Sequence, residues 1–482
     1  PLNVPAADTL QESVYVTPEK DFNAGWLHCM LFGKHWRELW TTPVKVPVLD
    51  LENYQGGLDV LPSDNSGGKQ SKVLKFRSKD GKMFKFRSTL KFAKFAIDPE
   101  LKGTIAEYIV QDQVSIKHPF APVIAFRLLK SAGVLMPEPN MYVLPYDQKL
   151  DANNDFKGLL GTLQEIPVKK KPLPGFEEVI KTTKLLKKID NDPVNRVDAA
   201  EFLKARLMDI FISDWDRHHK QWLWTSSIKG SNTSWMPVSQ DRDEAFCRYD
   251  GLIPWLFAEA VPRFEGISEN YPNVEFLTWE GRYLDRKFLP SVTKHQWDSV
   301  TAYLKNTLTD SVIHNAVSSL PGEWYRLSGK KLENILFARR NGLKEVSEEY
   351  YDLIFREPEI WATDKNEIAV INAIEENKLE LKIFECGSTL PYFSRVFDEG
   401  ETVEIRLYLQ GGIDTLVLNG NFSSDIKLKV INGSGDKSVI DRTDNDIAEI
   451  DVTFFTNGKQ LQVNETGNIS VNNDNAVIPK DA

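Results

Sequence analysis

The apolar run Leu207-Met-Asp-Ile-Phe-Ile212 leads into the packet Asp214-Trp-Asp216-Arg217-His218-His219-Lys-Gln221, and no other stretch restricts the fold as tightly. Charge of that density beside a core is costly unless its groups are paired or hold a ligand. The packet therefore belongs either to a cleft or to a saturated ionic network. Downstream, Trp235-Met-Pro-Val-Ser-Gln-Asp241-Arg-Asp243-Glu-Ala-Phe246 places two more carboxylates after a short apolar run. One aspartate to orient a hydroxyl, and a second with an amide to hold metal, is the set that phosphoryl transfer uses.

Upstream, residues 73–77 and 83–87 alternate apolar and basic and are joined by Lys79-Asp80-Gly81-Lys82, which predicts a hairpin. Phe84 and Phe86 fall on one face, Lys85 and Arg87 on the other, giving the sheet a core face and a basic face. A glycine-punctuated stretch containing Gly67 and Gly68 precedes the hairpin, and its backbone can approach phosphates closely. The 3.6-residue period predicts helices over 105–113 and 121–132, the second stopped by Gly133 with Pro137 and Pro139 beyond. Residues 141–145 and 159–165 read as a further strand pair. From 176 to about 343 the pattern is mainly helical, interrupted by a hairpin-like region over 222–246.

Beyond about residue 350 short β-type runs recur, at 403–409, 415–418, 426–431, 450–455 and 461–463, divided by Gly, Asn and Asp. They predict a small all-β module, a sandwich or stacked strands. Gly411-Gly412-Ile-Asp414 and Gly433-Ser-Gly435-Asp436 resemble degenerate calcium loops, with plain hairpin turns the preferred reading. The expected division is a lead-in segment over 1–50, an α+β unit with the glycine-rich loop over 51–167, a mainly helical unit carrying both acidic motifs over 168–348, and a β-rich module over 349–482.

A chain of 482 residues exceeds what one hydrophobic core spans. Its net charge of −10 disfavours a nucleic-acid partner. The lysines over 72–94 and 169–171 read as solvated faces, the first also as a phosphate-facing sheet. Cys29, Cys247 and Cys386 are too far apart to suggest a disulfide framework. His28, Cys29 and His35 invite a metal reading, against which packing or capping histidines are preferred. Starting at Pro1 without a signal peptide, the chain reads as a mature form or a fragment.

A kinase-type site needs a glycine-rich roof, a base on the adjacent strand, a helix carboxylate to orient it, and a metal platform. Candidates stand in that order: Gly67 and Gly68 for the roof, Lys85 or Arg87 (with Lys75 a third option) for phosphates, and Glu107 to pair with the base. Gln164-Glu165-Ile-Pro167 closes the strand pair where a purine's exocyclic amine would be received. A buried network, with Arg217 on Asp241 or Asp243 and His218 capping a helix, is the structural alternative. A zinc hydrolase lacks its His-Glu-x-x-His spacing here, and a Ser-His-Asp hydrolase lacks Gly-x-Ser-x-Gly.

The packet resembles the Asn-x-Asp-Arg-His-x-x-Asn segment of atypical protein kinases, namely the spore-coat CotH kinases, the secreted Golgi casein-kinase-like family and the HipA-type toxin kinases. That resemblance implies Asp216 as the catalytic aspartate, Gln221 at a metal-ligating position, Asp241 as the metal aspartate with Asp243 a close second, and Glu165 at the hinge. It implies an α+β, two-lobed atypical kinase-like domain followed by a small all-β C-terminal module. The implied cofactors are ATP and Mg²⁺ or Mn²⁺, and the acceptor is a protein or small-molecule hydroxyl. Asp214 replaces the family's Asn and Gln221 its Asn or Glu, so a non-catalytic scaffold of the same fold is the competing expectation. His35-Trp-Arg-Glu-Leu-Trp-Thr-Thr-Pro-Val44 and Glu404-Ile-Arg-Leu-Tyr-Leu409 resemble segments of large envelope proteins of Bacteroidetes-type bacteria. Those proteins pair a metallophosphatase domain with an outer-membrane barrel. The second resemblance implies a periplasmic or outer-membrane location, and association with a barrel or hydrolase domain of the same larger protein.

Overall fold

Five antiparallel strands form the first lobe: β1 (Leu58–Val60), β2 (Ser71–Ser78), β3 (Met83–Lys91), β4 (Pro139–Val143) and β5 (Leu160–Ile166), in the order β1-β2-β3-β5-β4. These come from a computed structural model that describes residues 12–62, 70–95, 97–167, 176–260, 266–420, 424–443, 452–456, 461–464 and 469–472. The Asp80-Gly81 turn closes β2 onto β3, with Gly81 at φ 79°, a conformation that costs glycine little. Phe84 and Phe86 are buried with Leu74, Phe76 and Leu163, so the alternation sends Lys85, Arg87 and Lys91 to the opposite face.

The lead-in contributes α1 (Trp26–Phe32). After β3 come α2 (Ile105–Asp112) and α3 (Ala121–Ser131), the latter ended by Gly133 at φ 70°. The lead-in is no separate segment in its described part. Trp36 and Trp40 are buried in the main core, and their indole N–H groups donate to the Phe246 and Lys117 carbonyls at 2.8 Å each.

In the second lobe α4 (Ala199–Phe211) is buried along most of its length. Its last carbonyls would be orphaned in a dry interior. Arg339, itself fully buried, donates to Ile210 O at 2.6 Å and Phe211 O at 2.7 Å and closes that end. The hairpin of β6 (Trp222–Lys229) and β7 (Asn232–Ser239) follows, and its two free ends carry the acidic motifs. Trp222 and Trp224 pack against Phe202 and fix the hairpin to α4. Next comes α5 (Leu252–Ala260), and the helices end with Leu343–Phe355, so the helical lobe runs to Phe355 rather than 348.

The C-terminal module contains the antiparallel strands Glu367–Glu375, Lys378–Glu385 and Phe393–Asp398 and continues from Glu404 as a stack of parallel strands. Successive strands from Glu404–Leu409 through Ile469–Asn472 alternate between a five-stranded and a six-stranded sheet. Loops 410–413 and 433–436 therefore carry the chain from one sheet to the other, which corrects the expectation of hairpin turns. They stack so closely that a Cβ on Gly435 would lie 2.1 Å from Gly412 O, and one on Gly433 2.2 Å from Gln410 O. Lys437, fully buried, fills the space inside them. Its ammonium donates to the carbonyls of Gly411 and Gly412 at 3.0 Å and of Ser434 at 3.2 Å, and lies 2.7 Å from Asp414 Oδ2.

Candidate active site

The cleft between the lobes is built by three short pieces of backbone held in unusual conformations. Ser213, Asp241 and Phe246 have φ of 51°, 48° and 60°, which non-glycine residues adopt only when their surroundings hold them there. Phe246 N donates to Ile212 O at 3.0 Å, tying the two acidic segments together. Arg217 completes the tie: its guanidinium donates to the carbonyls of Gln240, Asp241 and Gln221 at 2.9, 3.0 and 3.1 Å, and stacks 4.6 Å from the Trp222 ring. The structural alternative is thus half met, since Arg217 reaches Asp241 through its backbone and not its carboxylate. His218 caps the turn that follows, accepting from Lys220 N at 3.1 Å.

Beneath this loop lies a dry ionic network. Arg206 makes two bonds to Asp285 at 2.7 and 2.8 Å and one to Asp209 at 2.7 Å. Arg242 bonds to Asp209 and, at 2.8 Å, to Asp214. Asp214 therefore adds no negative charge to the cleft, because its carboxylate points down into the network. Burial pushes its pKa up to about 7, and the Asp209 charge adds to this against Arg217 and Arg242.

Above the loop the charges face the cleft. Arg87 bonds to Asp241 and lies 3.4 Å from Asp243, and Lys91 bonds to Asp243. Burial alone would raise the Asp241 carboxyl, but Arg87, Lys91 and Lys85 hold it well below the usual carboxylate range. Burial, and then the Arg87 charge, lowers Lys85 to about 8. Asp216 is pushed up to about 6 by burial, with Glu244 and Asp241 adding to it. Gln221 Nε2 donates to Asp216 Oδ2 at 3.3 Å.

The structure thus brings Lys85, Arg87, Asp216, Gln221, Asp241 and Asp243 to one cleft. Gly67 and Gly68 lie outside the described residues. Glu107 is placed elsewhere: its carboxylate accepts from Gly103 N at 2.7 Å at the exposed start of α2, so it does not orient the β3 bases. Glu165 faces Lys82 at 3.6 Å at the outer end of the sheet, with its backbone opposite Phe84 in the ladder. His28 pairs with Asp112 at 3.1 Å, and His35 contacts Ser115 and Asp250. Three participants were not anticipated. Lys91 shares the parity of Lys85 and Arg87, so the alternation contained it. The Lys117–Glu244 ion pair joins segments far apart in the chain, and no local pattern announces it.

No protein family matches the chain, and no curated protein does. Among solved structures it is similar to the Helicobacter pylori proinflammatory kinase CtkA, at 10% identity and TM-score 0.32, over 64% of this chain and 99% of that one. It is also similar to a chain of the Shewanella oneidensis toxin–antitoxin HipA, HipB and operator DNA complex, at 12% identity and TM-score 0.27, over 60% and 70%. These likenesses are low, and the functional reading stands on the geometry of the cleft.

Proposed function

We propose that the chain is an atypical kinase-like phosphotransferase that passes the γ-phosphoryl group of ATP to a hydroxyl. One arrangement carries the reading: the third strand of the sheet order turns Arg87 and Lys91 onto Asp241 and Asp243, with Lys85 on the same face and Asp216 and Gln221 bonded together on the adjoining loop. Three cations on one face suit a triphosphate, whose charge must be matched in any phosphoryl transfer. A carboxyl near 6 is ionised at neutral pH yet basic enough to take a hydroxyl proton.

The oxygen donors present fit Mg²⁺ or Mn²⁺, which are commonly held by one or two carboxylates together with phosphate oxygens. Asp241 and Gln221 would hold the ion, with Asp243 second. Gln221 keeps its Oε1 as a donor while Nε2 serves Asp216. Bound there, the ion supplies charge neutralisation on the phosphates. In the transfer the acceptor oxygen bonds to the γ-phosphorus as the bond to the β–γ bridging oxygen breaks. The bonding pair leaves with ADP, and the hydroxyl proton passes to Asp216.

The test is a nucleotide-dependent thermal shift with Mn²⁺ or Mg²⁺, repeated for Asp241→Ala, alongside phosphate incorporation in the parent and in Asp216→Ala. A shift lost in the first variant and incorporation lost in the second are expected. A parent with no shift sinks the enzyme reading and leaves the second one, a non-catalytic scaffold of the same fold. That second reading is favoured by Glu107, which is bonded to Gly103 N at the start of α2 and does not serve the β3 bases. Placement in a cell envelope, beside a barrel or hydrolase domain of the same larger protein, remains a proposal on the two resembling segments alone.

A further inference from the structure

A cavity of about 540 Å³, walled in part by Trp215, opens between α1, α2 and α5, within the size range of pockets that hold small organic ligands. Phe32, Ile109, Val114, Trp215, Tyr249 and Ile253 line it, so its wall is mostly apolar. Trp215 is the chain neighbour of Asp216. The two charged groups on the wall, Lys117 and Glu244, are bonded to one another and offer no net charge to a ligand. Asp216 is not itself on the wall; Trp215, its chain neighbour, and Glu244, the chain neighbour of Asp243, bring the cavity to the edge of the candidate site. The cavity serves neither the cationic face nor the metal donors, which lie on the β3 side.

The same three helices also carry exposed apolar side chains. Trp26 on α1, Ile105 and Tyr108 on α2, and Trp255 on α5 are 57–78% exposed. The two helices that bear the tryptophans are fixed to each other, since a Cβ on Gly251 would lie 2.4 Å from Gly33 N. Large aromatic side chains exposed on neighbouring helices suit contact with a lipid surface.

We infer that this cavity is the acceptor site, and that the acceptor is a neutral amphiphile with an apolar body in the cavity and a hydroxyl head at Asp216. The inference rests on the phosphotransferase reading above. A charged acceptor would meet the apolar wall with no counter-charge left over, because Lys117 and Glu244 satisfy each other. The chemistry is the transfer already written, with the head-group oxygen as the attacking atom and Asp216 receiving its proton.

Monolauroylglycerol is the probe, used dissolved below its critical concentration and, in a second arm, as monooleoylglycerol in phosphatidylcholine vesicles. Calorimetry follows binding to the parent and to Ile109→Trp and Ile253→Trp, which fill the cavity from α2 and from α5. The thermal shift with Mn²⁺ and ATP is recorded on the same samples, and phosphate transfer to the glyceride is read by mass. Binding to the parent, weakened at least about tenfold in both variants with the nucleotide shift unchanged, and phosphate on the glyceride, are expected. Preference for the vesicle arm would identify a lipid surface as the source, and preference for the dissolved arm a free amphiphile. A retained nucleotide shift with no glyceride binding, or with binding untouched by both variants, overturns the acceptor assignment and leaves the phosphotransferase reading standing. Glyceride binding with no nucleotide shift overturns both. Displacement of the glyceride by a serine-containing apolar peptide that becomes phosphorylated also overturns it. Should both variants fail to fold, hydrogen exchange on the parent decides: glyceride must protect α2 and α5, and unchanged exchange there sinks the proposal.

Discussion

Two ionic clusters meet at the candidate catalytic loop, and water separates their roles. Below the loop, the side chains of Arg206, Arg217, Arg242, Asp209, Asp214 and Asp285 are at most 2% exposed. Three guanidinium groups face three carboxyls there, and no member can leave its partners for a ligand without a large desolvation cost. Above the loop Arg87, Asp241 and Asp243 keep 16–17% of their side chains in solvent. Those partners can be exchanged for phosphate oxygens or a metal at moderate cost. The same residue types therefore fix a backbone in one place and offer a binding face in the other.

The sharpest way to break this contrast is to remove one cation from each cluster. Arg242→Met removes the hydrogen-bonded partner of Asp214 and one of the partners of Asp209 in a dry interior, and is expected to cost about 3–5 kcal/mol. Denaturant unfolding measures it. Arg87→Met leaves Lys91 beside Asp243 and access to water, so a loss of about 1 kcal/mol or less is expected. Its effect should fall on the nucleotide instead, as a weakening of about tenfold or more in a titration with ATP and Mn²⁺. Equal stability losses in the two variants would show that exposure does not separate the clusters.

A smaller effect is expected from acid. Burial lowers His118 to about 3, and burial together with Arg37 lowers His35 to about 4 against the pull of Asp250. Both stay neutral in the fold while the unfolded chain takes up protons below 6.5. The unfolded state then binds more protons, so their contribution is fully present above about pH 6.5 and is lost as pH falls toward the folded values. Each should cost about 2 kcal/mol by pH 5. Unfolding midpoints at pH 7 and pH 5 check this, and His118→Asn should flatten the dependence. A His118→Asn slope equal to the parent's would remove that histidine from the account.

How much was legible follows from the range over which each signal acts. The β2–β3 hairpin, the stop of α3 at Gly133 and the basic face of β3 are local, and turn chemistry with period-two alternation carries them. Lys91 keeps the same parity four residues beyond Arg87, where Ser88-Thr89-Leu90 interrupts the apolar–basic alternation that marks the face. Glu107 was assigned from its place in the chain, and α2 turns out to hold it at its own exposed N-terminal end. The stacked strands defeated a local reading for a different reason. Their partners sit one full coil away, so Asp414 finds Lys437 and Gly412 meets Gly435 with nothing in either segment to announce it.

The smallest expected effect decides most about the candidate site. Asp214 occupies the position where the resembling families carry Asn, which made it a suspected mark of a lost activity. In the structure its carboxyl bonds to Arg242 at 2.8 Å within the dry network, and burial pushes its pKa up to about 7. An amide oxygen can accept the same bond from Arg242. Asp214→Asn is therefore expected to change stability by about 1 kcal/mol or less and to leave the nucleotide shift where it was. Restored or strongly raised phosphate transfer in that variant would mean that the Asp214 charge reaches the cleft after all. The separation of the dry network from the working face would then fail at the residue that joins them.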